Sequence, residues 1–109
     1  MYWRELISYF FGGVFLMNAV PHVVAGSMGH AFQSPFAKPR GEGLSSSTVN
    51  VLWGFFNLAV AYVLFIRVGD FQLRNLSDVL APGIGALLIA LFMARHFGKF
   101  HGGNRPGVS

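Results

Sequence analysis

Residues 48–68 read TVNVLWGFFNLAVAYVLFIRV, and the nineteen positions from Thr48 to Ile66 carry no charge. As a helix, nineteen residues rise about 29 Å, close to the roughly 30 Å of hydrocarbon in a bilayer. The stretch is rich in Val and Phe, yet it far exceeds strand length and holds no turn signal, so its period is helical. Ser45, Ser46 and Ser47 in front of it are candidate N-caps, and Gly69-Asp70 behind Arg67 is a stop. This segment is the second of three expected spans, at about 6–28, 48–68 and 76–97.

The first span, 6–28, is preceded by Tyr2, Trp3 and Arg4, residue types that settle in the headgroup zone. Arg4 before an apolar run and the small residues near Ala25 also suit a cleaved leader, but Glu5, Trp3 and Asn18 fit one poorly. The third span has a shorter charge-free core, Val79 to Ala94, which sets Asp78 and Arg95 at its two interfaces or calls for local thinning. Pro82 falls in its first two turns, where a missing amide hydrogen is tolerated.

Spans two and three are joined by a short turn and are expected to be antiparallel neighbours. The other connection, HAFQSPFAKPRGEGLSSS over residues 30–47, is long, with Pro35, Pro39, Gly41 and Gly43 as helix breakers and Phe32 and Phe36 as apolar anchors. It is expected to be an ordered loop lying along the membrane. The expected organisation is one three-helix unit, residues 1–98, followed by a polar glycine-rich tail, 99–109, that does not pack. The fold class is all-α, a small polytopic integral membrane protein.

Composition agrees with this organisation. Of 109 residues, 53% are hydrophobic and 11% charged, against about 25% charged in an ordinary soluble domain. There is no cysteine, which removes disulfides, thiolate chemistry and thiol-linked lipid anchors. The net charge of +4 is spread over the ends of apolar segments, a pattern of membrane anchoring and not of nucleic-acid binding. Five basic residues, Lys38, Arg40, Arg95, Lys99 and Arg105, fall on the side of the long loop and the tail, against Arg4, Arg67 and Arg74 on the other. By the positive-inside rule the N-terminus is outside and the C-terminus cytoplasmic, in the cell membrane.

Polar residues within a span face protein or water, so their angular positions locate the helix contacts. In the first span Asn18 and His22 share a face. In the second, Asn50, Gly54, Asn57 and Ala61 follow a spacing of four, three and four, again one face. Asn18 and Asn57 lie near the middle of their antiparallel spans and are expected to meet. His22 lies about 7 Å nearer the loop, at the expected level of Gly54, where a missing side chain leaves room for a ring or a close backbone. Pro21 also leaves the Met17 carbonyl without its helical donor. In the third span Ala86, Ala90 and Ala94 form a ridge suited to close helix contact.

Chemistry finds little support. Asp70 and Asp78 are on the opposite side from all four histidines, and the Ser45–Ser47 run lacks the fixed acid and oxyanion site that a serine nucleophile needs. Gly41-Glu42-Gly43 is not a phosphate loop. Lys38 and Arg40 are expected to touch lipid phosphates. No catalytic residues are assigned.

The expected role is therefore a non-enzymatic, membrane-embedded subunit or binding protein acting through helix contacts. Its expected partners are the bilayer and a second copy or another membrane protein. Two alternatives remain: an oligomeric channel or transporter for a small solute or proton, using His22 with Asn18 and Asn57, or a haem- or metal-binding subunit using the histidines. The resting expectation is no cofactor.

Overall fold

The computed structural model describes residues 2–107 and carries three long helices. They are α1 (Trp3–Ser27), α2 (Ser47–Tyr62, extended by a π-helical turn over Val63–Arg67) and α3 (Leu76–His101). Each helical stretch is long and apolar enough to cross a membrane.

Local chemistry sets the ends. Ser46 caps α2, its hydroxyl accepting the Val49 N–H at 3.1 Å. Asn75 caps α3, its side-chain oxygen accepting from Ser77 N–H at 3.0 Å. Gly102, at φ 72°, takes the left-handed conformation that stops α3 without a Cβ penalty. α1 passes through Pro21 without interruption.

Two features depart from the sequence expectation. The long connection holds a minimal antiparallel pair, β1 (Phe32–Gln33) with β2 (Leu44–Ser45), in the register Phe32 to Ser45 and Gln33 to Leu44. The fold is predominantly helical and not purely so. The tail also packs in part: α3 continues to His101, and the Asn104 amide returns to donate to the Ala94 carbonyl at 3.2 Å. The extra turn is held because His101 stacks on Phe32 and hydrogen-bonds Gln33, contacts that no local pattern signals. Val108 and Ser109 of the expected tail lie outside the described residues.

The chain order makes α1 antiparallel to α2 and parallel to α3, and α1 is the central element. It packs along both of the others, which make little contact with each other. Small residues permit this double approach. On α1, Gly12, Ala19 and Gly26, seven apart, are buried against α2 and its π-turn. A methyl group on Gly26 would sit 2.6 Å from the Ser47 carbonyl oxygen, and one on Gly12 would sit 2.8 Å from the Phe65 ring. Toward α3, Gly13 meets the Pro82 backbone and Gly85 meets the Phe10 carbonyl.

Among the described residues the buried hydrophobic side chains are only Tyr9, Ala19, Ala61 and Met93, two of them alanines. The large apolar ones, such as Leu52 and Phe55 on α2 and Leu87, Leu88 and Leu91 on α3, point outward. Ser8, His22, Asn50, Asn57 and Asp78 point inward. Helix contact therefore depends on close backbones and hydrogen bonds more than on a core of large side chains.

Gly13→Ala is expected to destabilise the protein by about 1–3 kcal/mol, since its methyl would fall 2.6 Å from the Pro82 Cα and neither backbone can retreat. Gly83→Ala, with nothing within 4 Å of the added carbon, is expected to stabilise it by about 0.5–1 kcal/mol. Unfolding in detergent followed by circular dichroism checks both, and equal effects would contradict the close approach at Gly13.

Candidate functional site

The buried polar groups of α1 and α2 form two linked pairs. The four buried residues of α2 are Asn50, Gly54, Asn57 and Ala61, the stripe expected from their spacing. Midway along the helices the Asn18 amide donates to the Asn57 side-chain oxygen at 3.0 Å, while the Asn57 amide donates to the Trp53 carbonyl at 2.8 Å. Asn57 thus spends its amide hydrogen on its own helix and its oxygen on the neighbouring one.

His22 pairs one turn nearer the loop than the expected level of Gly54, with Nδ1 2.7 Å from the Asn50 side-chain oxygen. The space at Gly54 goes to the Val23 side chain and the α1 backbone: a Cβ there would meet Val23 Cγ2 and lie 3.0 Å from the Val23 nitrogen and 3.2 Å from the Ala19 oxygen. The imidazole consequently turns toward Asn50. No hydrogen bond of the cluster uses the Met17 carbonyl among the described residues.

Asn50 is the hub. Its amide nitrogen faces three carbonyls, those of Phe32 at 3.2 Å, Ser45 at 3.1 Å and Ser46 at 3.0 Å. A carbonyl oxygen in that position would face three acceptors, so the amide orientation is determined and its oxygen must face His22. An oxygen accepts only from N–H, so His22 carries its hydrogen on Nδ1. Its ring is set edge-on to Phe32, Trp53 and Phe97, with centroids 5.6, 6.4 and 6.2 Å away. The residues are closed off: Asn50 and Asn57 are 0% exposed and His22 is 2% exposed.

The loop is tied to α3 as well. His96 Nε2 donates to the Gly41 carbonyl at 2.6 Å, and His101 Nε2 donates to the Gln33 side-chain oxygen at 2.9 Å. The Ser34 and Ser45 hydroxyls bond each other across β1 and β2. Two histidines of α3 therefore bond the loop directly and His22 of α1 reaches it through Asn50, while His30 is exposed. The part played by Gln33, Ser34 and Phe32 has no periodic signal, because the loop meets these helices only after the chain has folded back on itself.

The remaining sequence candidates are placed as follows. Lys38 and Arg40 are exposed on the loop. Ala86 and Ala90 are half-buried and Ala94 is exposed, on the flank of the α3 face that packs on α1 through Asp78, Gly85 and Met93. Asp78, in the first turn of α3, is buried. One of its oxygens accepts the Gln72 N–H at 3.0 Å, closing the second connection, and the other has no hydrogen-bond partner among the described residues. Near it the Ser8 hydroxyl donates to the Leu64 carbonyl of the π-turn at 2.6 Å, and Tyr9 packs on Phe65 and Phe71. Among the described residues no three metal-capable side chains converge.

Two expectations follow. In a double-mutant cycle on Asn18→Val and Asn57→Val, the coupling should be about 0.6–1.7 kcal/mol in detergent unfolding, while Asn50→Leu alone should cost more, since it removes both the acceptor of the buried His22 ring and the amide that ties Phe32 and Ser45 to α2. His96→Ala should raise the rate of tryptic cleavage at Arg40–Gly41 about five-fold, as expected for loss of a hydrogen bond of about 1 kcal/mol that holds this segment closed. Unchanged cleavage would show that Gly41 is held by other contacts. No family model, curated protein or solved structure matches the chain, so the reading of its function rests on these residues.

Proposed function

We propose that the protein is a multi-pass integral membrane protein of the cell membrane that works as a non-enzymatic subunit or binding protein, through its outer helix faces. The observation that carries this reading is the reversed distribution of its side chains. Large apolar groups cover the outside, while the polar groups between α1 and α2 are turned inward and bonded to one another. In water such a surface would drive aggregation; in hydrocarbon it is the stable arrangement, since polar groups there require protein partners.

The same geometry favours a structural role for the cluster over a transport role. Each of Asn18, His22, Asn50 and Asn57 is engaged by a neighbour. A conducting path would have to break those bonds and open a region that is closed to solvent. The ridge of Ala86, Ala90 and Ala94 on the flank of α3, half-buried at its first two positions and exposed at the third, offers a surface for a second copy or a partner helix, and the distribution of basic residues favours an external N-terminus and a cytoplasmic loop and C-terminus.

The test is Asn57→Leu in the membrane. The variant is expected to reduce either the amount of protein in the membrane fraction or its crosslinked recovery with a partner; normal abundance and association would count against the reading. Liposomes holding the wild-type protein should show no solute or proton flux above empty ones. Flux abolished by His22→Ala would replace this reading with a carrier, and haem absorbance or stoichiometric metal in the purified protein would replace it with a cofactor-binding subunit.

A further inference from the structure

The two ends of the bundle differ in charge. The end that carries the long loop holds Lys38, Arg40, Arg95, Lys99 and Arg105 against the single acid Glu42, a net +4. The opposite end sets Arg4, Arg67 and Arg74 against Glu5, Asp70 and Asp78, a net of zero. The whole formal charge of the chain thus belongs to one end, and all five of its basic side chains there are exposed.

An apolar groove of about 630 Å³ starts at the charged end and runs down the outer face of α2. Val49, Leu52, Trp53 and Phe56 line it at the three- and four-residue spacing of a single helix face, and Phe36 of the loop forms its rim. Phe36 stands edge-on to Trp53 at 5.0 Å, and Trp53 stacks on Phe56 at 5.6 Å, so the walls are preformed by ring packing. From the start of α2 to Phe56 the helix rises about 14 Å, close to the hydrocarbon depth of one leaflet. Lys38 and Arg40 follow Phe36 by two and four residues, exposed in the turn that leads away from it.

We propose that this groove and these two cations form a binding site for an anionic phospholipid. One acyl chain lies along Val49 to Phe56, and the phosphate is held by Lys38 and Arg40. The site rests on the membrane reading above. A helix of a second copy is a poorer occupant, because helices associate in lipid through small residues that let backbones approach, and the groove is walled by rings and branched chains. A flexible acyl chain fits between such walls, and the unneutralised positive charge at its mouth selects a negative headgroup.

The test uses the full chain carrying Trp3→Phe, so that Trp53 is the sole indole, reconstituted into phosphatidylcholine vesicles. Phosphatidylglycerol or phosphatidylcholine with brominated acyl chains is added at equal low mole fraction, and quenching of Trp53 is read. The expected preference for the anionic lipid is about 30-fold in apparent affinity, from two cations acting at about 1 kcal/mol each near an anionic surface. Lys38→Gln with Arg40→Gln should reduce it to the phosphatidylcholine level with helix content unchanged.

Equal quenching by both lipids would overturn the site while leaving the membrane reading intact. Absence of quenching even in fully brominated lipid, with Trp3 in a Trp53→Phe variant quenched, would mean that protein covers the groove, and would also overturn the site. If neither indole is quenched in fully brominated lipid, the membrane reading fails together with the site.

Discussion

The Asn50 side chain is the interaction on which the rest of the structure depends. Its amide gathers the backbone of both ends of the long connection, at Phe32 and at Ser45 and Ser46, and its oxygen receives the His22 ring of α1. One planar group thereby joins α1, the first turn of α2 and the β1–β2 pair. It is closed to solvent, so every one of these bonds forms in a low-dielectric setting where an unmet partner is costly. The demand of three carbonyls for a donor decides the amide orientation, and that orientation decides which nitrogen of His22 holds the hydrogen. A backbone requirement is in this way transmitted to a side chain on another helix.

The helices above and below this hub follow a related constraint. Polar side chains that would be expensive against hydrocarbon are turned toward α1, and the close approach they need is provided by Gly12, Ala19 and Gly26 on one side and Gly13 and Gly85 on the other. Because α1 carries small residues on two faces, α2 and α3 pack on it and not on each other. What is left outside is apolar and available to lipid or to a partner under the membrane reading.

The two ends of the bundle are closed by different means. At the loop end, side-chain hydrogen bonds from Asn50, His96 and His101 hold a connection whose own strands are only two residues long. At the other end, the π-turn of α2 offers the Leu64 carbonyl to Ser8, and aromatic packing of Tyr9 with Phe65 and Phe71 covers the second connection. Asp78 finishes that turn by accepting from Gln72. The positive charge is gathered at the first of these ends, where the polar loop and the aromatic groove also meet.

The sequence by itself determined the three long apolar helices and the inward stripe of Asn50, Gly54, Asn57 and Ala61, because the periodicity of a helix is local and uncharged runs of this length have few other solutions. It also placed Asn18 opposite Asn57, since both lie near the centre of antiparallel rods of known rise. Tertiary structure alone decided that His22 meets Asn50 and not the space beside Gly54. That outcome depends on how far the α1 backbone sinks at Ala19 and Val23, a packing distance with no sequence period. It likewise decided that the loop forms a short β pair and that α3 extends to His101, because Phe32, Gln33 and Gly41 find their histidine partners only across long separations in the chain. Spacing within a helix is dictated by neighbours along the backbone, whereas these partnerships exist only once three helices have brought distant residues within a few ångströms.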